Sequence, residues 1–260
     1  MLSKELLQER LHTRLFGRKL FVFETIDSTN ACAKTLAQAG TGEGAVVIAE
    51  YQSEGKGRLG RRWQADPHEN LLFSVILRPS LPRASAGFLT FFASVAVARA
   101  IDDACGCATE CKWPNDLLLH GRKICGILLE NSIDGGVIDY SVVGIGLNVN
   151  QTTFPESLER QAGSLRSILG RPVDRIELLA RILQSLEQSY TDVRQGSFEK
   201  LLAEWTSRCT MFGREVTVNQ DDAVVIGKAV GLNDDGGLLL QTSSGRRTIY
   251  AGDISLTPAP

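Results

Sequence analysis

The residues best suited to chemistry lie in one loop, 55–63, in which three glycines are interspersed with four cations and no acid. Glycine lets a backbone turn tightly and approach a ligand closely because it carries no Cβ, and clustered cations can grip several negative oxygens at once. The loop follows an apolar run at 45–49 that predicts a buried strand. The first hypothesis is a phosphate-bearing substrate held at the end of a sheet.

The loop also matches the dinucleotide fingerprint G-x-G-x-x-G, which requires its last glycine to open a helix. The residues that follow show no apolar repeat at helical spacing, and Pro67 would interrupt a helix soon after it began. A Rossmann site is therefore not favoured. Taken alone, the loop still leaves open a solvated cationic turn without a ligand.

Composition restricts the class of protein. The 260 residues are 43% apolar and 22% charged, and 28 Lys plus Arg against 30 Asp plus Glu give a net charge of −2, which argues against a general nucleic-acid binder. We find no apolar run approaching a membrane span and no signal-peptide core, so we expect a cytoplasmic protein without a membrane partner. The six cysteines and three histidines lack the spacing of a zinc site, and we predict reduced buried thiols and no metal-binding residues.

Hydrophobic patterning predicts an α+β chain with a mixed β-sheet. We expect a lead-in helix in 1–19, a large domain over 20–211 and a small β-barrel over 212–260, whose short strands alternate with hairpin turns at 219–222, 233–237 and 243–245. In the large domain, the predicted strands are 20–25, 45–51, 71–77, 116–120, 123–133 and 137–148. One predicted helix of that domain ends near residue 39, and three others span 84–104, 173–194 and 198–205.

Five further segments are unusually polar for their apolar surroundings: 27–30, Gln52, 112–116, 123–126 and 144–150. Each has an ordinary structural explanation, such as a helix cap, a strand-end amide or a snorkelling lysine, although Trp113-Pro114 is expected to present an aromatic face. Together they suit the joining of a carboxylate to the α-phosphate of ATP, where cations and Mg²⁺ offset the repulsion of two anions. That reaction needs no enzyme nucleophile, and no Ser-His-Asp or Cys-His system is evident.

In type and order, these segments resemble the motifs of the biotin protein ligase family, and 251–256 resembles the end of its SH3-like C-terminal domain. The resemblance implies a class II synthetase-like, lipoate-ligase-like catalytic domain. It also implies a two-step reaction: biotin and MgATP give biotinyl-5′-AMP, and a lysine of a biotin carboxyl carrier protein, a subunit of acetyl-CoA carboxylase, then takes the biotin.

The resemblance also assigns roles to residues. Catalysis is expected of Arg58, Lys123 and Asp116. Biotin binding is expected of Ser28, Thr29, Asn30, Gln52, Gly55, Lys56, Gly57, Arg58, Lys123 and Gly126. ATP binding is expected of Lys56, Arg58, Arg61, Trp63, Lys112, Asn115, Asp116 and Asn148.

The chain departs from the family pattern in two ways. Lys56 stands where the family often has arginine. Lysine keeps the positive charge but lacks the planar guanidinium, which can donate two hydrogen bonds to one anion. Only about twenty residues precede the first predicted strand, too few for the winged helix-turn-helix of some family members, so we expect neither a DNA partner nor repression. A homodimer through a sheet edge is compatible with the sequence.

Two alternatives remain at this point. Lipoate ligases and octanoyltransferases resemble the same catalytic fold and also acylate a carrier lysine, but the loop, the 112–116 motif and the predicted barrel favour biotin. A non-enzymatic alternative is a single-strand nucleic-acid binder that uses the basic loop and the barrel. The negative net charge and the shortage of aromatic residues near the barrel argue against it.

Overall fold

The computed structural model describes residues 2–220 and 223–256. Met1, two residues of the predicted turn at 219–222 and the segment 257–260 lie outside the described residues. The larger sheet has the strand order β1-β2-β3-β7-β6-β5-β4, in which β1 and β2 are parallel and all other neighbours are antiparallel. Its strands are β1 Leu20–Ile26, β2 Val46–Gln52, β3 Leu71–Leu77, β4 Glu110–Lys112, β5 Asp116–Leu119, β6 Arg122–Asp134 and β7 Val137–Leu147.

Helices cover both faces of this sheet. They are α1 Lys4–Arg10, α2 Thr29–Gln38, α3 Phe88–Cys105, α4 Leu165–Leu169, α5 Arg175–Arg194 and α6 Glu199–Ser207. On one face α2 packs against β2, β3 and β7, and on the other α3 packs against β4 to β7 and is covered by α5 and α6. Every residue of β3 is buried, because this central strand has a helix layer on each side.

Helix α3 corrects one expectation. The helical stretch Arg83–Cys105 has 23 residues and contains an 18-residue window with a mean hydropathy of 1.6, so its length and composition would allow it to cross a membrane. However, 67% of that apolar window is buried inside the protein. Its apolar character on all sides is that of a core helix enclosed between a sheet and other helices.

A second, smaller sheet follows α6. It is antiparallel throughout, with the order β11-β10-β9-β8-β12. Its strands are β8 Glu215–Gln220, β9 Ala223–Leu232, β10 Leu238–Thr242, β11 Gly245–Ile249 and β12 Asp253–Leu256. The predicted α+β fold class, a mixed sheet with helices followed by a small antiparallel β-domain, is confirmed.

The N-terminal helix is shorter than predicted. Helix α1 begins after its cap residue Ser3 and ends at Arg10, where the backbone becomes extended. The carboxylate of Glu187 then accepts hydrogen bonds from the backbone N–H groups of Arg14, Leu15 and Phe16, and these tertiary contacts replace helical ones. The short elements β4, α4 and β12 were not predicted, because three to five residues give too little periodicity to detect.

Candidate active site

A cavity of about 630 Å³ opens where the start of α2, the 53–63 loop, strands β5 to β7 and the second sheet meet. It brings together nearly every residue singled out in the sequence. Those that line it are Ser28, Thr29, Asn30, Gln52, Lys56, Gly57, Arg58, Arg61, Trp63, Lys112, Asn115, Asp116, Lys123, Gly126 and Asn148. Gly55 instead borders an adjoining, more open cavity of about 670 Å³ on the loop.

One end of the cavity is polar and uncharged. Gln52 ends β2, and its Oε1 accepts hydrogen bonds from the backbone N–H (2.7 Å) and the hydroxyl (3.0 Å) of Thr29. This fixes the amide plane and turns the Gln52 nitrogen away from Thr29. Ser28 is the N-cap of α2, and its hydroxyl accepts from Ala31 N, as the capping interpretation predicts.

Asn30 is buried, and its side-chain amide forms hydrogen bonds with other residues of the protein. Its Nδ2 donates to a Glu130 carboxylate oxygen at 2.8 Å and to Leu128 O at 3.3 Å, while Oδ1 lies 2.6 Å from the donating hydroxyl of Ser74. A Cβ added to Gly144 would lie 2.0 Å from Asn30 Oδ1. Asn30 is therefore placed to support the neighbouring Thr29 and Gln52.

The glycine-arginine loop folds back on itself. The N–H of Gly57 donates to Arg61 O at 2.7 Å, and the N–H of Trp63 donates to Gly55 O at 2.9 Å. A Cβ on Gly55 would lie 2.6 Å from Trp63 O, so only glycine permits this closure. The tip is a single 3-10 turn, Arg58–Gly60, which agrees with the rejection of a Rossmann helix.

Trp63 packs flat against two glycines of the sheet. A Cβ on Gly126 would lie 2.9 Å from the indole ring, and one on Gly146 would lie 2.5 Å from it. The Lys123 ammonium lies 5.7 Å from the ring centre. Within the described part of the chain, the buried indole N–H of Trp63 has no hydrogen-bond partner. A buried donor of this kind beside a cavity indicates a ligand.

Two contacts organise the cationic side of the cavity. Arg58 Nη1 donates to Asn115 Oδ1 at 3.2 Å, and Asn115 Nδ2 in turn donates to Ile127 O at 2.6 Å. The ammonium of Lys123 forms an ion pair of 2.6 Å with the carboxylate of Asp116. The loop and the 112–116 motif are thus joined directly through charged and polar groups.

Burial affects two of these cations. It lowers the pKa of Lys112, an effect that Asp116 opposes and that Lys123 and Arg61 reinforce. Burial likewise lowers the pKa of Arg58, again with Asp116 opposing it. Positive charges held together in a poorly solvated cavity favour binding of a polyanion.

Trp113 differs from its prediction. Its side chain is only 2% exposed, and the indole N–H donates to Gly236 O in the second sheet at 3.1 Å. The ring packs mainly in the core, although the residue also borders the cavity. The apolar bulk of tryptophan explains this outcome, since burying it removes a large area from water.

Asn148 joins the end of β7 to the segment after it. Its Nδ2 donates to Gly163 O at 3.0 Å, and its backbone N–H donates to Ile124 O at 2.8 Å. Its side-chain Oδ1 is buried without a hydrogen-bond partner among the residues described. Like the Trp63 indole, this oxygen is available to a ligand group with a hydrogen-bond donor.

Sequence reasoning missed several residues that complete the site. Ser74 and Glu130 were both overlooked, although Ser74 is a single polar residue within an apolar strand and so gave a detectable signal. The segment 154–162 carried no recognisable motif. The further cavity-lining residues include Arg62, Phe154, Pro155, Leu158, Arg160, Gln161, Thr210, Met211, Asn219, Ile254 and Ser255.

The cysteines are free thiols within the described residues. Burial raises the pKa of Cys111 to about 12 and that of Cys209 to about 11, so neither is a thiolate at neutral pH. Among residues 2–220 and 223–256, no three His, Cys, Asp or Glu side chains are grouped so as to hold a metal ion.

Comparison with known proteins decides the family. The model of the biotin/lipoate A/B protein ligase family matches residues 22–148, and that of the biotin protein ligase C terminal domain matches residues 211–257. The bifunctional ligase/repressor BirA of Bacillus subtilis is 35% identical over 98% of this chain and 79% of its own length. The chain belongs to the biotin protein ligase family.

Other members of the family agree with this assignment. The biotin–[acetyl-CoA-carboxylase] ligase of Paracoccus denitrificans is 34% identical over 88% of this chain and 96% of its own length. Among solved structures, biotin protein ligase from Aquifex aeolicus in complex with biotin and ATP superposes with a TM-score of 0.81 at 30% identity, covering 93% of this chain and 100% of that one. The similarity therefore includes both sheets.

Proposed function

We propose that this chain activates biotin with ATP and transfers it to a lysine of a biotin carboxyl carrier protein. The observation that carries the proposal is a single cavity with an uncharged polar end at Thr29 and Gln52 and a cationic side at Arg58, Lys112 and Lys123. Such a cavity suits a neutral ring system joined to a carboxylate, beside a polyphosphate. The family's ligases carry out this reaction, and the C-terminal family match favours biotin over lipoate.

In the first step, a biotin carboxylate oxygen attacks the α-phosphorus of ATP, forming biotinyl-5′-AMP and releasing pyrophosphate. The main barrier is the approach of two anions, which Arg58 and Lys123 lower by placing positive charge at the junction. ATP would enter as its magnesium complex, in which the ion would neutralise part of the triphosphate charge. Lys56 adds a further positive charge from the loop, whose closed shape depends on Gly55 and Gly57.

The biotin end is assigned to uncharged groups. The Gln52 amide and the hydroxyls of Ser28 and Thr29 would face the ring system, with Asn30 holding them in place through Ser74 and Glu130. Gly126 leaves room for the ligand and for the Trp63 ring. Prearranged hydrogen bonds of this kind lower the entropic cost of binding.

The nucleotide side is assigned to Arg61, Trp63, Lys112, Asn115 and Asn148. The unpartnered Trp63 indole N–H and Asn148 Oδ1 are a donor and an acceptor that a purine base and its ribose could satisfy. Lys112 contributes positive charge near the phosphates. The loop would close over the adenylate and exclude water from the reactive anhydride.

In the second step, the ε-amine of the carrier lysine attacks the biotinyl carbonyl carbon, and AMP leaves. The amine must lose a proton, and the carboxylate of Asp116 is the acid-base group beside the reaction centre. Its ion pair with Lys123 places that carboxylate within the cationic cluster. The carrier subunit of acetyl-CoA carboxylase is the proposed partner, in the cytoplasm, and the enzyme is proposed to form a homodimer through a sheet edge. Repression is no part of the proposal.

The transfer can be tested with a purified carrier domain containing one acceptor lysine. Incubation with ATP and biotin should add one biotin to that domain, and a carrier variant with Lys→Arg at the acceptor should stay unmodified. Salt-sensitive RNA binding without any transfer would support the nucleic-acid alternative instead.

The lowered pKa of Lys112 predicts a pH dependence. As the pH rises through that pKa, the ammonium loses its charge, so affinity for the nucleotide polyanion should fall and the KM for ATP should rise by about tenfold. Lys112→Arg keeps the charge and should remove the alkaline rise. The KM for biotin, measured over the same range, is the control. The same pH dependence of the KM for ATP in the unmodified protein and in Lys112→Arg would contradict the assignment of Lys112.

A further inference from the structure

Two contacts join the C-terminal part of the chain to the strand that carries Lys112. On one side of Lys112, the buried indole N–H of Trp113 donates to Gly236 O at 3.1 Å. On the other side, the backbone N–H of Cys111 donates to Arg208 O at 3.0 Å. Lys112 therefore lies between two residues whose positions depend on elements outside the larger sheet.

The segment 233–237, here called the docking turn, connects β9 and β10 and has a structure of its own. Asn233 Oδ1 accepts from the backbone N–H groups of Asp235 (3.1 Å) and Gly237 (2.7 Å), and its Nδ2 donates to the hydroxyl of Tyr250 (2.9 Å). Backbone bonds between Asn233 and Gly237 close the turn. These hydrogen bonds fix the backbone of the docking turn and therefore the direction of the Gly236 carbonyl.

The docking turn also fits closely against α3. Gly236 has φ +79°, and a Cβ added there would lie 2.5 Å from the ring of Phe91. Phe91 is itself packed against Trp205, with ring centres 4.8 Å apart. Because the buried aromatic ring has little room to move, only glycine allows the carbonyl to reach Trp113.

Beyond Trp113 the chain leads directly into the proposed site. Asn115 accepts the hydrogen bond of Arg58, and Asp116 pairs with Lys123. A shift of Trp113 would therefore be passed to both cations within a few residues. Thr29 and Gln52, at the biotin end, lie on other elements and have no such connection in the contacts described.

We propose that Trp113 is a positioning residue. Its hydrogen bond to the docking turn couples the position of the second sheet to the positions of Lys112, Asn115 and Asp116. The packing of the second sheet thereby affects ATP binding. The kinetic part of this proposal rests on the proposed function. The structural part does not, because the coupling between the turn and the motif can be measured without turnover.

Trp113→Phe tests the proposal, since it removes the N–H and keeps an aromatic ring. We expect the KM for ATP to rise about five- to tenfold, as for loss of one buried hydrogen bond, with the KM for biotin changed by less than about twofold. In the ligand-free protein, backbone amide hydrogen exchange should quicken both in the docking turn and at 111–116.

Gly236→Ala provides a second route, because it pushes the docking turn off Phe91 without altering the 111–116 motif. Its matched control is Gly245→Ala, which also places alanine at positive φ (+117°) in the second sheet but meets no atom within 4 Å. Gly236→Ala should reproduce the exchange changes and the rise in the KM for ATP. Gly245→Ala should show neither, even if its melting temperature falls similarly.

The outcomes separate the claims. Faster exchange in the docking turn with unchanged exchange at 111–116 would overturn the coupling, as would equal rises in the KM for ATP and for biotin. If the unmodified protein forms no biotinyl adenylate, the proposed function fails, and the exchange comparison alone still decides the coupling.

Discussion

Replacing Arg58 by alanine is expected to slow formation of biotinyl-5′-AMP by about 10²–10³-fold, the typical cost of removing a donor aimed at developing negative charge. Arg58 lies in the closed loop, is partly buried, and donates a hydrogen bond to Asn115 in the same cavity as Lys123. Its planar guanidinium can hold a carboxylate and a phosphate oxygen together. Single-turnover adenylate formation, followed by mass spectrometry, measures the effect.

Lys56→Arg is the matched control within the same loop. It keeps the charge and introduces the residue frequent in the family, so we expect adenylate formation within about threefold of the unmodified protein. Both variants should melt near the original temperature, since Arg58 makes one long hydrogen bond of 3.2 Å. Normal pyrophosphate exchange by Arg58→Ala would refute its assignment.

Gly144→Ala is expected to damage the biotin end of the cavity and to destabilise the fold by about 2–4 kcal/mol. The added Cβ would lie 2.0 Å from Asn30 Oδ1, and Asn30 is held by Ser74, Glu130 and Leu128. Displacing the amide would break its hydrogen bonds, including the one with Ser74, whose hydroxyl also bonds Thr29. The KM for biotin should rise about tenfold or more, with a smaller change for ATP.

A double-mutant cycle sharpens this prediction. Asn30→Ala removes the atom that clashes, so the combined Gly144→Ala and Asn30→Ala variant should be less destabilised than the sum of the two single variants. Gly42→Ala is the control, because a Cβ there meets nothing within 4 Å. Strict additivity in thermal unfolding, or biotin binding by Gly144→Ala equal to that of the unmodified protein, would contradict the packing argument.

Sequence patterning located the regular elements where a clear period existed. The apolar run at 71–77 became β3 over the same residues, because a strand covered on both faces needs no polar alternation. Capping chemistry placed the start of α2 within 27–30, and the structure shows that Ser28 is the N-cap. The three-residue strand β4, which positions Lys112, was not predicted from the sequence, because its pairing is set by β5 and by contacts distant in sequence.

The residues of the site likewise divide into those with a local sequence signal and those set by tertiary contacts. Residues in polar motifs, such as Arg58 and Lys123, were found because their charges are unusual beside apolar strands. Ser74 gave a signal as a polar residue inside an apolar strand, but its contacts with Asn30 and those of Glu130 could not be assigned without knowing which strands are neighbours. Trp113 was expected to present an aromatic face, whereas the structure buries most of its ring and directs the indole N–H to Gly236 in the turn between β9 and β10, a tertiary contact that no local pattern encodes.

The central claim is that one cavity joins a biotin carboxylate to the α-phosphate of ATP. The most direct measurement is to incubate the purified protein with ATP and either biotin or lipoate, and to identify the adenylate by mass, with Arg58→Ala in parallel. The account predicts biotinyl-5′-AMP and pyrophosphate from biotin, little product from lipoate, and formation of the adenylate slowed by about 10²–10³-fold in the variant. Lipoyl-AMP as the main product, or no adenylate from either acid, would contradict it.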